Sequence, residues 1–276
     1  MATKERNTPE RRLHPRPRRD LATDLAFTLW RAVARRVVDF HKTLGIVIVS
    51  GAAVAIAAAW AFAQVADEVR EGATRRFDEA VLQWVGTHRI RVPWLELAMA
   101  EVTALGTAVV VMAIVGIAAL FLALTRHRYS ALLLLVSSLG GIILNNVLKL
   151  GFSRPRPQII PWSVHVMSSS FPSGHAMSAA IAYGTVAWLA ARLAPTRLVR
   201  AVILVAAALI IVLISASRVY LGVHYPSDVL AGLLVGLAWA AFCMAVLEAL
   251  VLYGRRRAPQ VLESEAPPES EQVHES

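Results

Sequence analysis

The chain has 276 residues, of which 57% are hydrophobic and 17% charged, with a mean hydropathy of +0.55. That balance excludes an ordinary soluble domain and points to a membrane protein. The formal net charge of +9 is gathered at the chain ends, in Arg11, Arg12, Arg16, Arg18 and Arg19 and in Arg255, Arg256 and Arg257. This pattern reports membrane orientation and attraction to anionic lipid, not a nucleic-acid surface.

In chain order, residues 1–42 read as a basic cytoplasmic arm within which "DLATDLAFTLWRAV" has the pattern of a short amphipathic helix. Nothing ahead of the first apolar run has the form of a cleavable signal peptide, so the first span is expected to stay as an anchor. Stretches without Asp, Glu, Lys or Arg then follow at residues 43–66, 102–125, 129–148, 172–191, 201–217 and 229–247. Each approaches the ~20 residues a helix needs to cross a bilayer, and each is too long for a barrel strand. The expectation is an all-α bundle of six transmembrane helices occupying residues 43–252, followed by a disordered cytoplasmic tail over 253–276 that is rich in Glu, Pro and Ser.

The positive-inside rule places both termini and the connections at 126–128 and 192–200 in the cytoplasm. Residues 67–101, 149–171 and 218–228 then face outward. In the first of these, Phe77, Val81, Trp84 and Val85 fall at helical spacing, which predicts an amphipathic helix lying on the outer interface or, equally, a packed surface helix. Asn145 and Asn146 read as hydrogen-bonding between helices, with support of the outward-facing site as the alternative. Trp162 and His165 suit either a substrate entrance or an interfacial belt. The lone Cys243 sits inside the sixth span, which excludes an internal disulfide or a cysteine-based metal cage.

The outward segments carry Lys149, Arg154, Arg156 and Arg218 on the side where basic residues should be scarce. They contain "KLGFSRPRP" (149–157), "FPSGH" (171–175) and "SRVYLGVHYPSD" (217–228), each where an outward loop meets a helix end. Arginine forks match phosphate oxygens bidentately, lysine adds a point charge, and a helix opening at Ser173 and Gly174 offers free backbone N–H groups to the same oxygens. Glycine at 174 suits a backbone that approaches phosphate closely. Two histidines beside such a subsite point to covalent phosphoryl chemistry. His224 is the better nucleophile, because Asp228 four residues on is placed to hold its tautomer, and His175 is the acid. Taken singly, Lys149 reads as a snorkelling helix end, "SRPRP" as a stiff basic loop, and Pro226 with Asp228 as a helix start. The conjunction on one face is what carries the functional reading.

These residues resemble the type 2 phosphatidic acid phosphatase family, the lipid phosphate phosphatases, whose pattern is K-x6-R-P, P-S-G-H and S-R-x5-H-x3-D. Lys149, Arg156 and Pro157, then Pro172 to His175, then Ser217, Arg218, His224 and Asp228 match it without departure over residues 149–228. The resemblance implies a six-span fold of the phosphatase and haloperoxidase-like type and a phosphohistidine on His224. It also implies His175 as acid and then base, Asp228 as orienter, and Lys149, Arg156, Ser173, Gly174 and Arg218 around the phosphate, with Arg154 in a supporting role. It implies hydrolysis of a membrane lipid phosphate or diphosphate, such as undecaprenyl diphosphate, phosphatidylglycerophosphate or phosphatidic acid, at the extracytoplasmic face of the cell membrane. No cofactor or metal is expected, because fixed cations and a helix end supply the positive charge. A phosphotransferase to a lipid or glycan acceptor fits the same motifs, and a non-catalytic lipid-binding protein is a third reading. The soluble vanadium haloperoxidases share the anion pattern, but six apolar spans argue against them.

Overall fold

A computed structural model describes residues 21–89, 92–163 and 168–264, with side chains described from residue 45 to residue 253 apart from residue 93. The chain divides into two units, residues 1–43 and residues 44–276. Among the described residues all regular structure is helical: α1 (Leu21–Glu71), α2 (Arg75–Arg89), α3 (Pro93–Ala104), α4 (Ala108–Leu124), α5 (Arg128–Phe152), α6 (Gly174–Leu193), α7 (Arg197–Tyr220) and α8 (Pro226–Ser264). Five of these contain stretches long and apolar enough to span a membrane, and α3 with α4 makes a sixth if that pair, bent by 48°, is one span.

The bundle keeps an apolar interior and presents apolar helix faces on its outside as well. Ile117 and Leu120 on α4, Ile143 and Val147 on α5, and Val202, Val205 and Leu209 on α7 are exposed, whereas Ser137, Ser138, Thr185 and Ser215 are buried between helices. In a bilayer the apolar faces meet acyl chains, and association between helices rests on close packing. Helix α6 is central, packed against α5, α7 and α8. Small residues let α8 approach it. A Cβ on Gly232 would lie 2.5 Å from the Ser173 carbonyl oxygen, and one on Gly236 would lie 2.9 Å from that of Met177. This small-xxx-small spacing brings the first turn of α8 against the start of α6.

One expectation changes, and one left open between two readings is decided. The apolar run 102–125 is not one straight helix: α3 ends at Ala104 and α4 begins at Ala108, with Thr107 extended as its N-cap. A Cβ on the intervening Gly106 would lie 2.6 Å from Ile214 and 2.9 Å from the His175 ring, so the break is packed tightly against α6 and α7. The outer segment forms α2 and α3, and α2 turns Asp78, Leu82 and Val85 inward while Phe77 and Trp84 are 63% and 62% exposed. It is a packed helix with an apolar outer stripe, and the buried face is set by Leu82 and Val85 meeting Ile160.

Outside these points the spans follow the expected runs, and Cys243 is buried in the apolar core. The helical path of α8 continues to Ser264, past residue 252, and α1 begins at Leu21 within the N-terminal arm. Residues 1–20 and 265–276 lie outside the described residues, as does His165.

Candidate active site

Lys149 occupies the last turn of α5, which closes on Ser153 in a left-handed conformation with φ of 45°. The chain then leaves the helix and returns across the outer end of the bundle. Lys149 Nζ donates to Ser168 Oγ at 3.0 Å and to the Ser169 carbonyl at 3.1 Å. Arg156, 8% exposed, shares those acceptors: its Nη2 donates to Ser168 Oγ at 3.2 Å and to the Ser169 carbonyl at 3.4 Å, while its Nε donates to the Ser168 carbonyl at 2.8 Å. Its Nη1 donates to the Val223 carbonyl at 2.6 Å and lies 3.3 Å from His224 Nε2. One guanidinium thus joins the first motif to the third.

The second motif opens α6. Ser173 is its N-cap residue, yet its hydroxyl makes no capping bond and its buried Oγ has no hydrogen-bond partner within the protein. The N–H groups of a helix's first turn have no intrahelical acceptor, so this end presents several donors together. The Ser173 N–H itself donates to the Asp228 carbonyl at 2.9 Å, tying the second motif to the third. Gly174 is needed for space: a Cβ there would lie 3.1 Å from Asn145 Nδ2. His175 follows in the first turn, within electrostatic range of Lys149, Arg156, Arg218 and His224.

The third motif starts on the last turn of α7. Arg218 is 3% exposed, donates from Nη1 to Thr103 Oγ1 at 2.7 Å, and keeps a buried Nε without a partner. Ser217 does not join the site, since its hydroxyl bonds back to the Ile214 carbonyl at 2.6 Å. A turn through Gly222, at φ of +76°, then delivers His224 and the start of α8. His224 is 1% exposed and Asp228 0%. The Nδ1 of His224 stands 3.5 Å from Asp228 Oδ2, an ion-pair separation without hydrogen-bond geometry in this structure. Such contacts are commonly loose in the absence of substrate.

Because an arginine only donates, the nearby Nε2 of His224 is an acceptor, and the proton of the neutral ring is assigned to Nδ1, facing Asp228. Burial pushes the His224 pKa down to about 4, with the Asp228 carboxylate opposing that shift. The imidazole is therefore neutral at pH 7, as a nucleophile must be. The Asp228 carboxylate is held from several sides: Ser170 Oγ donates to Oδ2, the Tyr225 N–H donates to Oδ2 at 2.9 Å, and Arg154 Nη1 donates to Oδ1 at 2.5 Å.

All eight residues singled out in the sequence lie at this end of the bundle. Asn145 faces the Gly174 turn, while Asn146 is exposed, and Trp162 is 38% exposed with its indole N–H on the Pro157 carbonyl. Arg154 does more than its place in the motif suggested, since it grips Asp228. Ser168, Ser170 and Asp78 carried no sequence signal beyond their being polar residues in outward segments, and Thr103 lay within the expected span 102–125. The cationic side chains and backbone amides gathered here repel a metal cation and attract an oxyanion.

The family model of the PAP2 superfamily matches residues 130–251. Phosphatidylglycerophosphatase B of Bacillus subtilis is 35% identical over 177 residues, covering 64% of this chain and 86% of that protein. An undecaprenyl-diphosphatase of Sulfolobus acidocaldarius is 32% identical over 139 residues, covering 49% of this chain and 63% of its own length. A lipid A 1-phosphatase of Rhizobium johnstonii is 34% identical over 114 residues, covering 38% and 42%. Among solved structures, a transmembrane PAP2 type phosphatidylglycerolphosphate phosphatase from Bacillus subtilis superposes with a TM-score of 0.63 at 31% identity, over 74% of this chain and 96% of that one. With its apolar helices, its three motifs on one face and a relative matched over most of its length, this chain belongs to the PAP2 superfamily as a multi-pass membrane phosphatase.

Proposed function

We propose that this protein hydrolyses a lipid phosphate or diphosphate at the extracytoplasmic membrane face through a phosphohistidine on His224. The observation that carries the reading is the environment of one ring. Its Nε2 faces the Arg156 guanidinium at 3.3 Å while its Nδ1 faces Asp228 at 3.5 Å. A phosphoryl group bound by Arg156 is thereby brought to the nitrogen that holds the lone pair.

In the first step His224 Nε2 attacks phosphorus, the bond from phosphorus to the lipid-side oxygen breaks, and that oxygen takes a proton from His175. The imidazolium character gained by His224 is offset by Asp228. In the second step water gives its proton to His175 and attacks phosphorus, the P–N bond breaks, and free phosphate leaves. Lys149, Arg156, Arg218 and the first turn of α6 at Ser173 and Gly174 stabilise the equatorial oxygens. The unpartnered Ser173 Oγ and Arg218 Nε supply further donors.

A lipid substrate is favoured by the position of the cluster at helix ends, where a headgroup reaches the site while the tails stay in the bilayer. The names of the relatives support the same class, with phosphatidylglycerophosphate, undecaprenyl diphosphate and phosphatidic acid as candidates. The extracytoplasmic side follows from the basic residues that flank the opposite loops.

The test is phosphate release by the detergent-purified full chain from each of those three lipids in the presence of EDTA. Release that persists in EDTA and disappears in His224→Ala is the expected result. Release by His224→Ala at the parent rate would refute the histidine mechanism, and a phosphorylated acceptor without free phosphate would show transfer instead.

A further inference from the structure

The helix α2 lies outside the motif region, yet it drives one charged side chain into the catalytic end. Asp78 is 0% exposed. Its Oδ2 accepts from Arg154 Nη2 at 3.0 Å and from Ser227 Oγ at 2.6 Å, and its Oδ1 accepts from the Ser227 N–H at 3.0 Å. Arg154 spends the other arm of its fork on Asp228 Oδ1 at 2.5 Å and on Ser227 Oγ at 2.9 Å, with its guanidinium carbon 4.2 Å from the centre of the Tyr225 ring. The order across the site is Asp78, Arg154, Asp228, His224.

From this geometry we infer that Asp78 is a positioning residue for the reaction, acting through Arg154 and Ser227 to hold the Asp228 carboxylate in place and keep it an effective partner of His224. The inference rests on the proposed role of His224 as nucleophile.

A buried carboxylate is costly unless it is paired and hydrogen-bonded, and Asp78 is satisfied only by groups that also hold or adjoin Asp228. Its effect on the site has two parts. Geometrically, it takes one arm of Arg154, so the guanidinium is fixed beside Asp228 and turned from the phosphate cations of the same loop. Electrostatically, Asp78, Arg154 and Asp228 together present a net negative charge to the His224 ring. Without Asp78, Arg154 and Asp228 would cancel, and the imidazolium formed during attack would lose its counter-charge.

Anchoring α2 is not a sufficient account of Asp78, because that helix is held elsewhere. Leu82 and Val85 pack with Ile160, and Arg89 donates to the Pro161 carbonyl at 3.0 Å and the Tyr220 carbonyl at 3.4 Å. The charged and titratable groups facing His224 are Asp228 on α8, Arg218 on α7, His175 on α6 and Arg156 in the outer loop, with Arg154 and Asp78 behind Asp228.

The experiment measures kcat, KM and the pH profile of phosphate release from phosphatidylglycerophosphate in detergent micelles, with Tm recorded for each full-length variant. Asp78→Asn should lose about 10- to 100-fold in kcat, the usual scale for a partner of a site residue. Its KM should hold within about threefold, as expected when an interaction acts on the reaction step rather than on binding. Its acid limb should move to lower pH, because removing a negative charge makes the imidazole harder to protonate. Asp78→Glu, which keeps the charge, should recover much of the loss. An unchanged kcat in Asp78→Asn, or a loss with an unmoved limb and no recovery in Asp78→Glu, overturns the proposal. If Asp78→Asn does not fold, Asp78→Ser, which removes the charge with less bulk and leaves Arg154 in place, is measured instead: reduced kcat at retained KM supports the role, and parent-like kcat refutes it. His224→Ala separates the two layers. A parent without turnover, or a His224→Ala variant as active as the parent, removes the mechanism on which the inference rests. An inactive His224→Ala beside an unchanged Asp78→Asn removes only the inference.

Discussion

Two buried carboxylates on α8, Asp228 in its first turn and Glu248 farther along, are both paired with arginine, and they differ in nearly everything else. Asp228 is 0% exposed and Glu248 3%. The arginine on Asp228, Arg154, has a side chain 16% exposed and is shared with Asp78, whereas the arginine on Glu248, Arg192, has one 44% exposed. Asp228 also accepts from Ser170 and from a backbone N–H, so rotation of the carboxylate breaks several bonds at once. Glu248 meets a side chain that stacks on Trp188, at the end of α6 opposite the candidate site. The first pair stands beside His224 under several restraints, and the second satisfies charge near the other end of the bundle.

That contrast is open to measurement. The largest effect is expected from His224→Ala, which should lower phosphate release by about 10⁴-fold, the scale seen when a member of a coupled catalytic set is removed. Asp228→Asn should fall nearly as far, with its protein still folded. Arg218→Ala should cost about 10²- to 10³-fold in kcat through loss of oxyanion donors. Gly232→Ala sharpens the geometric half of the comparison: its Cβ would meet the Ser173 carbonyl at 2.5 Å, so α8 must shift from α6. The cost should be about 1–3 kcal/mol in stability, read as a lower Tm, accompanied by weaker turnover.

The pH profile tests the buried ring directly. Attack needs neutral His224, and its pKa is held down to about 4 by burial. Activity in kcat/KM should therefore persist below the ordinary imidazole value of about 6.5 and be lost as the pH falls toward 4. An acid limb at or above the ordinary value would contradict the buried neutral ring. The smallest effect is reserved for the other carboxylate. Glu248→Gln should leave kcat and KM unchanged and lower stability by about 1 kcal/mol, since its partner is half exposed; a large loss of activity would erase the distinction between the two pairs.

The motif residues were legible because phosphate chemistry asks for particular side chains at short, fixed spacings. Lys149 with Arg156, and His224 with Asp228, each lie within one local stretch of chain. Arg154 was visible as a basic residue in that stretch, but its commitment to Asp228 was not, since any arginine there suits a phosphate equally well. Asp78 was illegible for a different reason. In "RRFDEAVLQW" it is one charge among several on a helix with apolar residues on more than one face, and only packing decides that Leu82 and Val85 turn inward while Phe77 and Trp84 turn out. The break between α3 and α4 was hidden likewise: residues 102–125 carry no charge, and Gly106 departs from the helix where it meets His175 and Ile214.

The sequence by itself determined the membrane class, the helical fold and the motif residues that gather at one end of the bundle, because hydropathy, helix length and motif spacing act along the chain. Tertiary structure alone decided which groups stand behind them: Asp78 on Arg154, Arg154 on Asp228, Thr103 on Arg218 and Ser168 between Lys149 and Arg156. Those partnerships join helices distant in sequence. Hydrogen bonds and charge pairs depend on ångström-scale distances that no local spacing encodes.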